Sequence, residues 1–528
     1  MLHTHEYAGI RFEGKPPRSG IFDAVIVGSG ATGSWAAKAL TEGGFYVALV
    51  EAGPILTDNY LLAPLSNREL ERRPIQHLCS AFKDPVRRLF VDDLETPYGS
   101  AADAPFNWFR GRQVGGRLNT WSRHVVRVGD ESFLPDAIED DRSWPLRYSE
   151  VLSNYETVEK RLEVIGQRDG LSVVPDSEYA AQTIALPALA QDISQKLAQG
   201  FPPTAAIAGR IVKHNPNRLP LALVDAIKTN RLSLLPNSIA TIVTTCRAGV
   251  SASGIEILDR VTGRVEKIRA RTVVLAASSF ETTRILLNSL RIGARFDSNA
   301  GNLLGHFVSD HVFCSAEGPL SSDQMELIGS DQGPPRDPWD FATTTLYVPG
   351  QSGLYGEFSG KFGIQISLAP MGQPKWTAAA FGEMLPRYEN HIRLDENRTD
   401  AWGQPILFID CRHRENEKVM STYMQHRLSE VAAQAGLEES RLTKMDCRKF
   451  LPSGALLPGA AIHETGGARM GRRPENSIVN SFGQVWQCPN VFLVDGATFP
   501  YTPFQNPTLL MMALADRNCR YILANFAY

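Results

Sequence analysis

The stretch Phe22 to Pro54, FDAVIVGSGATGSWAAKALTEGGFYVALVEAGP, constrains the fold more than any other part of the chain. A short apolar strand, Ala24 to Val27, leads into Gly28, Gly30 and Gly33 in G-x-G-x-x-G spacing. A helix-forming run, Ser34 to Thr41, follows and is ended by Gly43-Gly44. A second apolar strand, Tyr46 to Val50, then runs into Glu51. In such a β-α-β unit each part has a physical job. Gly28 turns the chain sharply out of the strand. Gly30, without a Cβ, lets a pyrophosphate approach the backbone, with Ser29, Ala31 and Thr32 of the same turn beside it. Gly33 lets helix and strand pack closely. The helix N-terminus points unsatisfied N–H groups and partial positive charge at the phosphates. Glu51 lies twenty-three residues after Gly28, where a carboxylate accepts the ribose hydroxyls. An acid there argues against a 2′-phosphate, so the expected ligand is an adenosine dinucleotide without one. The glycines alone would also suit a turn in an unrelated α/β domain; both strands and the acid together favour the dinucleotide.

The chain has 528 residues, too many for one core, so two or more domains are expected. A net charge of −3 gives no sign of a nucleic-acid surface. The seven cysteines are scattered and form no C-x-x-C pair, so neither a zinc site nor a disulfide framework is indicated, and no metal is expected. The N-terminus lacks an apolar signal-like stretch, and no run approaches the roughly 18 apolar residues of a membrane span. A cytoplasmic location is the expectation.

Beyond Glu51, Leu56 to Ala104 mixes charge and proline without periodicity and reads as an excursion covering the cofactor. Phe106 to Arg123, FNWFRGRQVGGRLNTWSR, interleaves glycines with arginines and aromatics, as suits a loop along a flat, anionic ligand; a surface turn with solvated arginines is the bland alternative. Ser149 is placed to cap a helix over Glu150 to Val164. Leu232 to Leu235, Ile239 to Thr244 and Ala252 to Asp259 have strand character, and Arg271 to Ala277 is a buried strand feeding a helix, Glu281 to Ser289. The first domain therefore resumes after an insertion. From about Asp310 to Leu451, alternating stretches such as Lys361 to Leu368 and His391 to Leu394 suggest an antiparallel sheet, and Glu415 to Gln434 suggests a helix. Ile462 to Gly471 is a Gly-rich turn carrying His463. Asn490 to Asp495 is a buried strand ending in an acid and Gly496, and Thr508 to Leu523 is a helix that Asn506 or Thr508 would start.

Four motifs in this order resemble the glucose–methanol–choline (GMC) oxidoreductases: the opening dinucleotide unit, RGRQVGGRLNTW, HETGGARMG, and NVFLVDGATFPYTPFQNPTLLMMALA. The tail is most similar to the pyranose oxidase, glucoside 3-dehydrogenase and glycoside 3-oxidase branches. The resemblance implies an α/β fold: a Rossmann-like FAD-binding domain with a second α+β substrate domain on an antiparallel sheet, the p-hydroxybenzoate-hydroxylase-like architecture. The expected FAD-binding domain spans 15–60, 105–165, 210–310 and 455–528. The substrate domain spans 311–454, with 61–104 and 166–209 as covering excursions. The family oxidises a CH–OH group by hydride transfer to flavin N5. By resemblance, His463 is the proton acceptor and Asn506 the second active-site residue. Flavin contacts implied in the same way are Arg112, Gly115, Gly116, Asn119, Thr120, Trp121, Ser122, Ala240, Asp495, Gly496 and Thr508. Pyranose oxidases link FAD through a histidine just before the loop tryptophan; here that position is Thr120, so FAD is expected to be non-covalent.

The chemistry suits these residue types. Hydride leaves a carbon readily as its oxygen loses the proton, and a neutral imidazole takes a proton near neutral pH. The rate is therefore expected to rise with pH through the imidazole value near 6.5. An Asn amide donates to the oxygen without competing as a base. For His463 the plainer alternative is a buried structural histidine, and for Asn506 a helix cap. His306 and His311 are expected to be structural, beside a domain crossing. The expected substrate is a sugar, glycoside or sugar-like alcohol, and the electron acceptor is O2, a quinone or a redox protein. An NAD-dependent dehydrogenase on the same β-α-β unit leaves the C-terminal motifs unexplained. A flavin-bound protein without turnover leaves the pairing of His463 and Asn506 unexplained.

Overall fold

The computed structural model describes residues 5–7, 10–12, 19–56, 89–134, 143–178, 186–200, 207–212, 219–246, 249–296, 303–329, 345–351, 356–438, 441–442 and 455–526. Most of the excursion after Leu56, parts of the segment 166–209, and Cys79 and Cys447 lie outside the described residues.

The opening unit forms the strand Phe22–Val27, the helix Ala31–Glu42 and the strand Val47–Val50. These strands sit at the heart of a seven-stranded sheet. Val25 pairs in parallel with Ala48 on one side and with Val273 on the other. Leu232–Leu235 extends the sheet beyond Val47–Val50, and Val491–Leu493 pairs with the end of Val265–Leu275. The parallel parts of these five strands are largely buried and apolar, as expected where helices cover both faces. Val265–Leu275 is longer than its buried part, because its first half leaves the parallel core. That half pairs antiparallel with Ala252–Asp259, which in turn pairs with Ser238–Thr245. The helix Ala31–Glu42 packs against Thr508–Asn525, where Trp35 Nε1 and Asn154 Nδ2 donate to the two oxygens of Asp516 at 3.1 and 2.7 Å.

A second, six-stranded sheet runs in the order Arg441–Leu442, Val312–Pro319, Lys375–Gly382, Phe362–Leu368, Thr345–Gln351, Ile207–Ala208. Its period-2 alternation gives it two different faces. Trp376, Ala378, Ala380, Ile364 and Ile366 join a core with Met420, Met424 and Leu428 of the helix Glu415–Ala435. Phe381 and Gln365 point the other way and line the cavity described below. Both expected stretches pair antiparallel, but His391–Thr399 does not belong to this sheet. It forms a three-stranded sheet with Pro405–Asp410 and Gly99–Ser100. Ser149 caps nothing: the Glu150 carboxylate accepts the Arg147 backbone N–H at 2.9 Å, and the helix runs Leu152–Leu162. Among the described residues no helix is long and apolar enough to cross a membrane.

Candidate active site

The parallel strands deliver their carboxyl ends to one cavity of about 500 Å³. Gly28, Glu51, Ala276 and Asp495 each follow a different strand of the sheet, and all four line it. An α/β sheet binds its ligands at this edge.

The glycine turn meets its steric requirements. Gly28 has φ +95°, and a Cβ there would lie 2.3 Å from the carbonyl oxygen of Ala276. A Cβ on Gly33 would lie 1.8 Å from the carbonyl oxygen of Gly28, so this glycine serves close packing and does not line the cavity. Gly30 is different: a Cβ there would meet nothing within 4 Å. It faces the cavity at the start of Ala31–Glu42, whose first turn has no side-chain cap. Glu51 is buried, and its two oxygens accept from the Ser29 backbone N–H (3.1 Å), the Ser29 hydroxyl (2.6 Å) and the Gly53 N–H (2.9 Å). Burial nonetheless pushes its pKa up. Three bonds leave part of the carboxylate's capacity of about four for hydroxyl donors from the cavity. Asp495 accepts from the Thr282 hydroxyl at 2.5 Å and the Ala497 N–H at 3.0 Å, and burial raises its pKa to about 6. The open backbone at Gly30, the uncapped helix end and two buried acids fit an adenine dinucleotide.

The loop after Phe106 lines the cavity through Arg112, Gly116, Thr120, Trp121 and Ser122, and Ala240, Gly496 and Thr508 line it from other elements. Three expectations for this loop are corrected. Asn119 does not line the cavity; its amide donates to the carbonyls of Val114 and Gly116 and braces the turn. Gly115, at φ +91°, also lies off the cavity and donates its N–H to the Ser29 hydroxyl at 3.1 Å. The arginines are already engaged with carboxylates of the protein. Arg110 holds Asp93 at 2.7 Å, Arg112 holds Glu281 at 3.4 Å, and Arg117 holds Glu464 at 2.8 Å. Burial lowers Arg112 to about 10.

His463 and Asn506 line the same cavity, with Phe313, Phe381 and Gln365. The two are 43 residues apart in sequence, and separate turns bring them together. Asn506 is not a helix cap. Its Oδ1 accepts from Gln365 Nε2 at 2.5 Å, and Thr508–Asn525 starts without a side-chain cap. His463 sits on a turn held tightly from one side. The Asp310 carboxylate accepts the N–H groups of Gly459 (2.7 Å), Ala461 (3.2 Å) and His463 (3.0 Å). Arg117 donates to the carbonyl of Ile462 at 3.0 Å. Ile462 itself has φ +63°, a strained conformation for a β-branched residue, and it directly precedes His463. Burial, with the neighbouring His311 and Arg117, holds the His463 pKa well below 6.5.

His311 was expected to be structural, yet it touches the site. Its Nδ1 lies 2.9 Å from His463 Nδ1. His306 does play a structural part, bonding the Tyr388 carbonyl and stacking on that ring at 3.8 Å. Sequence reasoning also missed Asp310, Gln365, Phe313 and Phe381. The pair Phe313 and Phe381 comes from strand register, in which the two residues face each other across neighbouring strands. Among the described residues no cluster of three His, Cys, Asp or Glu could hold a metal ion.

Comparison with known proteins agrees with this architecture. Residues 386–515 match the family model described as GMC oxidoreductase. The chain is 25% identical to 2-methyl-1,2-propanediol dehydrogenase of Mycolicibacterium austroafricanum, covering 96% of each protein. It is 25% identical to paromamine 6′-oxidase of Streptomyces fradiae, covering 95% of this chain and 91% of that one. Among solved structures, the formate oxidase of Aspergillus oryzae RIB40 superposes with a TM-score of 0.68 at 14% identity, covering 95% of this chain and 98% of that one. The Rossmann-type sheet, the antiparallel sheet over it and these likenesses agree: the chain resembles the GMC oxidoreductases, and its residues 386–515 match that family's model.

Proposed function

We propose that this protein binds FAD non-covalently and oxidises a CH–OH group of a sugar, glycoside or other small alcohol to a carbonyl. The observation that carries this reading is the placing of His463 and Asn506 in the same cavity as Gly30 and Glu51. A dinucleotide held at one end of the cavity reaches a base and an amide at the other. The seven-stranded sheet and its helices form the FAD-binding domain, and the six-stranded sheet closes the substrate side.

Gly28 to Thr32, with the helix start at Ala31, would hold the pyrophosphate. Glu51 would take the ribose hydroxyls. Trp121, Ser122, Asp495 and Gly496 would flank the rest of the cofactor. Bound FAD supplies the acceptor for the hydride that leaves the substrate carbon. The protein's residues supply the rest. His463 takes the hydroxyl proton on Nε2, the ring nitrogen left free by its contact with His311. Its depressed pKa keeps the ring neutral and ready to accept at neutral pH. Asn506 has its carbonyl oxygen engaged by Gln365, which leaves its N–H donors for the substrate oxygen. Phe313 and Phe381 give that end an apolar wall and limit competing water.

The relatives named above act by their names on 2-methyl-1,2-propanediol and on paromamine, and both compounds belong in the test. Purified protein is expected to be yellow and to bleach anaerobically with at least one member of a panel of sugars, glycosides and diols. Colourless protein that binds a nicotinamide dinucleotide instead would overturn the reading.

A further inference from the structure

His463 has two ring nitrogens, and only one can act as the base. In a neutral imidazole one nitrogen carries the proton and the other accepts. Which one is bare depends on the hydrogen bond the other makes. The contacts around His311 decide this without reference to any ligand.

His311 is 1% exposed. Its Nε2 lies 2.8 Å from the carbonyl oxygen of Pro503. A carbonyl only accepts, so Nε2 of His311 must carry a proton. Burial pushes the pKa of His311 down to about 4, so the ring is neutral in the working range and its Nδ1 is bare. That bare Nδ1 faces His463 Nδ1 at 2.9 Å. Two bare nitrogens at that distance would repel, so His463 Nδ1 must be the donor. Its own bare nitrogen is then Nε2.

We infer that His311 is a positioning residue: through the chain Pro503 C=O, His311 and His463 it fixes the His463 tautomer so that Nε2 accepts the substrate proton. This rests on His463 being the base. The proton balance is simple. The hydroxyl proton passes to Nε2, and His463 becomes a cation that still donates Nδ1–H to the bare Nδ1 of His311. The contact between the two rings therefore survives the proton transfer. Asp310 and His311 are neighbours in sequence, so one short segment holds both the backbone and the ring of His463. The other charged groups around the turn, Glu464 and Arg117, are paired with each other at 2.8 Å. Neither is bonded to the ring of His463.

The direct test uses the oxidised holoenzyme with ¹⁵N-labelled histidine. Signals of His463 are assigned by their loss in His463→Asn. The expected result is a protonated Nδ1 and a bare Nε2; a protonated Nε2 in the wild type would overturn the inference. Kinetics give the second arm. His311→Phe removes the acceptor and is expected to slow flavin reduction by about 10- to 100-fold, the usual cost of losing a group that orients another. Its KM is expected to change little. His311→Gln is expected to recover most of the rate, because its amide donates to Pro503 while its oxygen accepts from Nδ1–H. A His311→Phe enzyme as fast as the wild type, or a Gln variant no faster than Phe, overturns the inference. If His311→Phe does not fold, the wild-type spectrum and the Gln variant decide. If His463→Asn reduces flavin normally, the base assignment is what fails, and the spectrum still reports the tautomer.

Discussion

The Asp310 carboxylate accepts the backbone N–H of His463 at 3.0 Å. The same side chain holds Gly459 and Ala461, so a single buried acid shapes the turn that carries His463. Burial, and then the nearby Glu464, raise its pKa from 3.8 to about 7. Folding therefore favours the protonated form. The native state keeps this proton up to about pH 7, whereas the unfolded chain loses it near pH 4. Asp310 thus contributes stability that is complete below about pH 4 and is lost as pH rises to about 7, on the order of 4 kcal/mol in all. Asp310→Asn does not titrate. The difference in unfolding temperature between wild type and this variant is expected to shrink from pH 4 to 7 and then level. A difference constant with pH would contradict the assignment.

The opening glycines separate fold from ligand. Gly33→Ala puts a methyl group 1.8 Å from a backbone oxygen. It is expected to cost about 3 kcal/mol or more, read as lost soluble yield or a lower apo-protein unfolding temperature. Gly30 has open space in front of it. Gly30→Val is expected to fold, with an apo unfolding temperature near the wild type, yet to purify colourless. A Gly30→Val protein with full flavin content would remove the pyrophosphate from this turn.

Much of the FAD-side architecture is legible in the sequence because it is local. The glycine spacing, the buried strands and Glu51 lie within one short unit, and their geometry follows from sterics. His463 and Asn506 are visible as residue types in Gly- and Pro-rich turns. What surrounds them is not. Gln365 reaches Asn506, and Phe381 faces Phe313, only through the register of a sheet whose strands lie far apart in sequence. His311 sits beside a domain crossing, and nothing local shows that its ring reaches His463. The arginines of the loop misled in the other direction. Their spacing suggested an anionic ligand, whereas Asp93 from just upstream and Glu281 and Glu464 from distant segments pair with them.

Thr120 lines the cavity; the proposed non-covalent binding of FAD follows from the sequence resemblance, by which a threonine stands at the position of the linking histidine. Acid precipitation is expected to release yellow FAD into the supernatant. His124, buried and also lining the cavity, is the nearest other imidazole in sequence. Flavin that stays with the pellet in the wild type but not in His124→Ala would establish a covalent link there.

The pH dependence of flavin reduction is expected to differ from that of a free imidazole. In the proposed mechanism the neutral ring is the active form, and burial with His311 and Arg117 lowers its pKa well below 6.5. The rate is therefore expected to be flat from about pH 6.5 to 8 and to fall only at lower pH. The Asn506→Ala variant is expected to be slower with the same profile. A rise centred near 6.5 or above would show that the ring is better solvated, or that another group takes the proton.

The most direct test of the account is stopped-flow reduction of the bound flavin by substrate in His463→Ala beside the wild type. The contacts proposed for phosphate and ribose lie at the other end of the cavity, so the variant is expected to keep its FAD. Reduction is expected to slow by about 10²–10⁴-fold, the range for losing one general base, with substrate affinity changed much less. Reduction at the wild-type rate in His463→Ala, with hydride transfer limiting, would contradict the central claim.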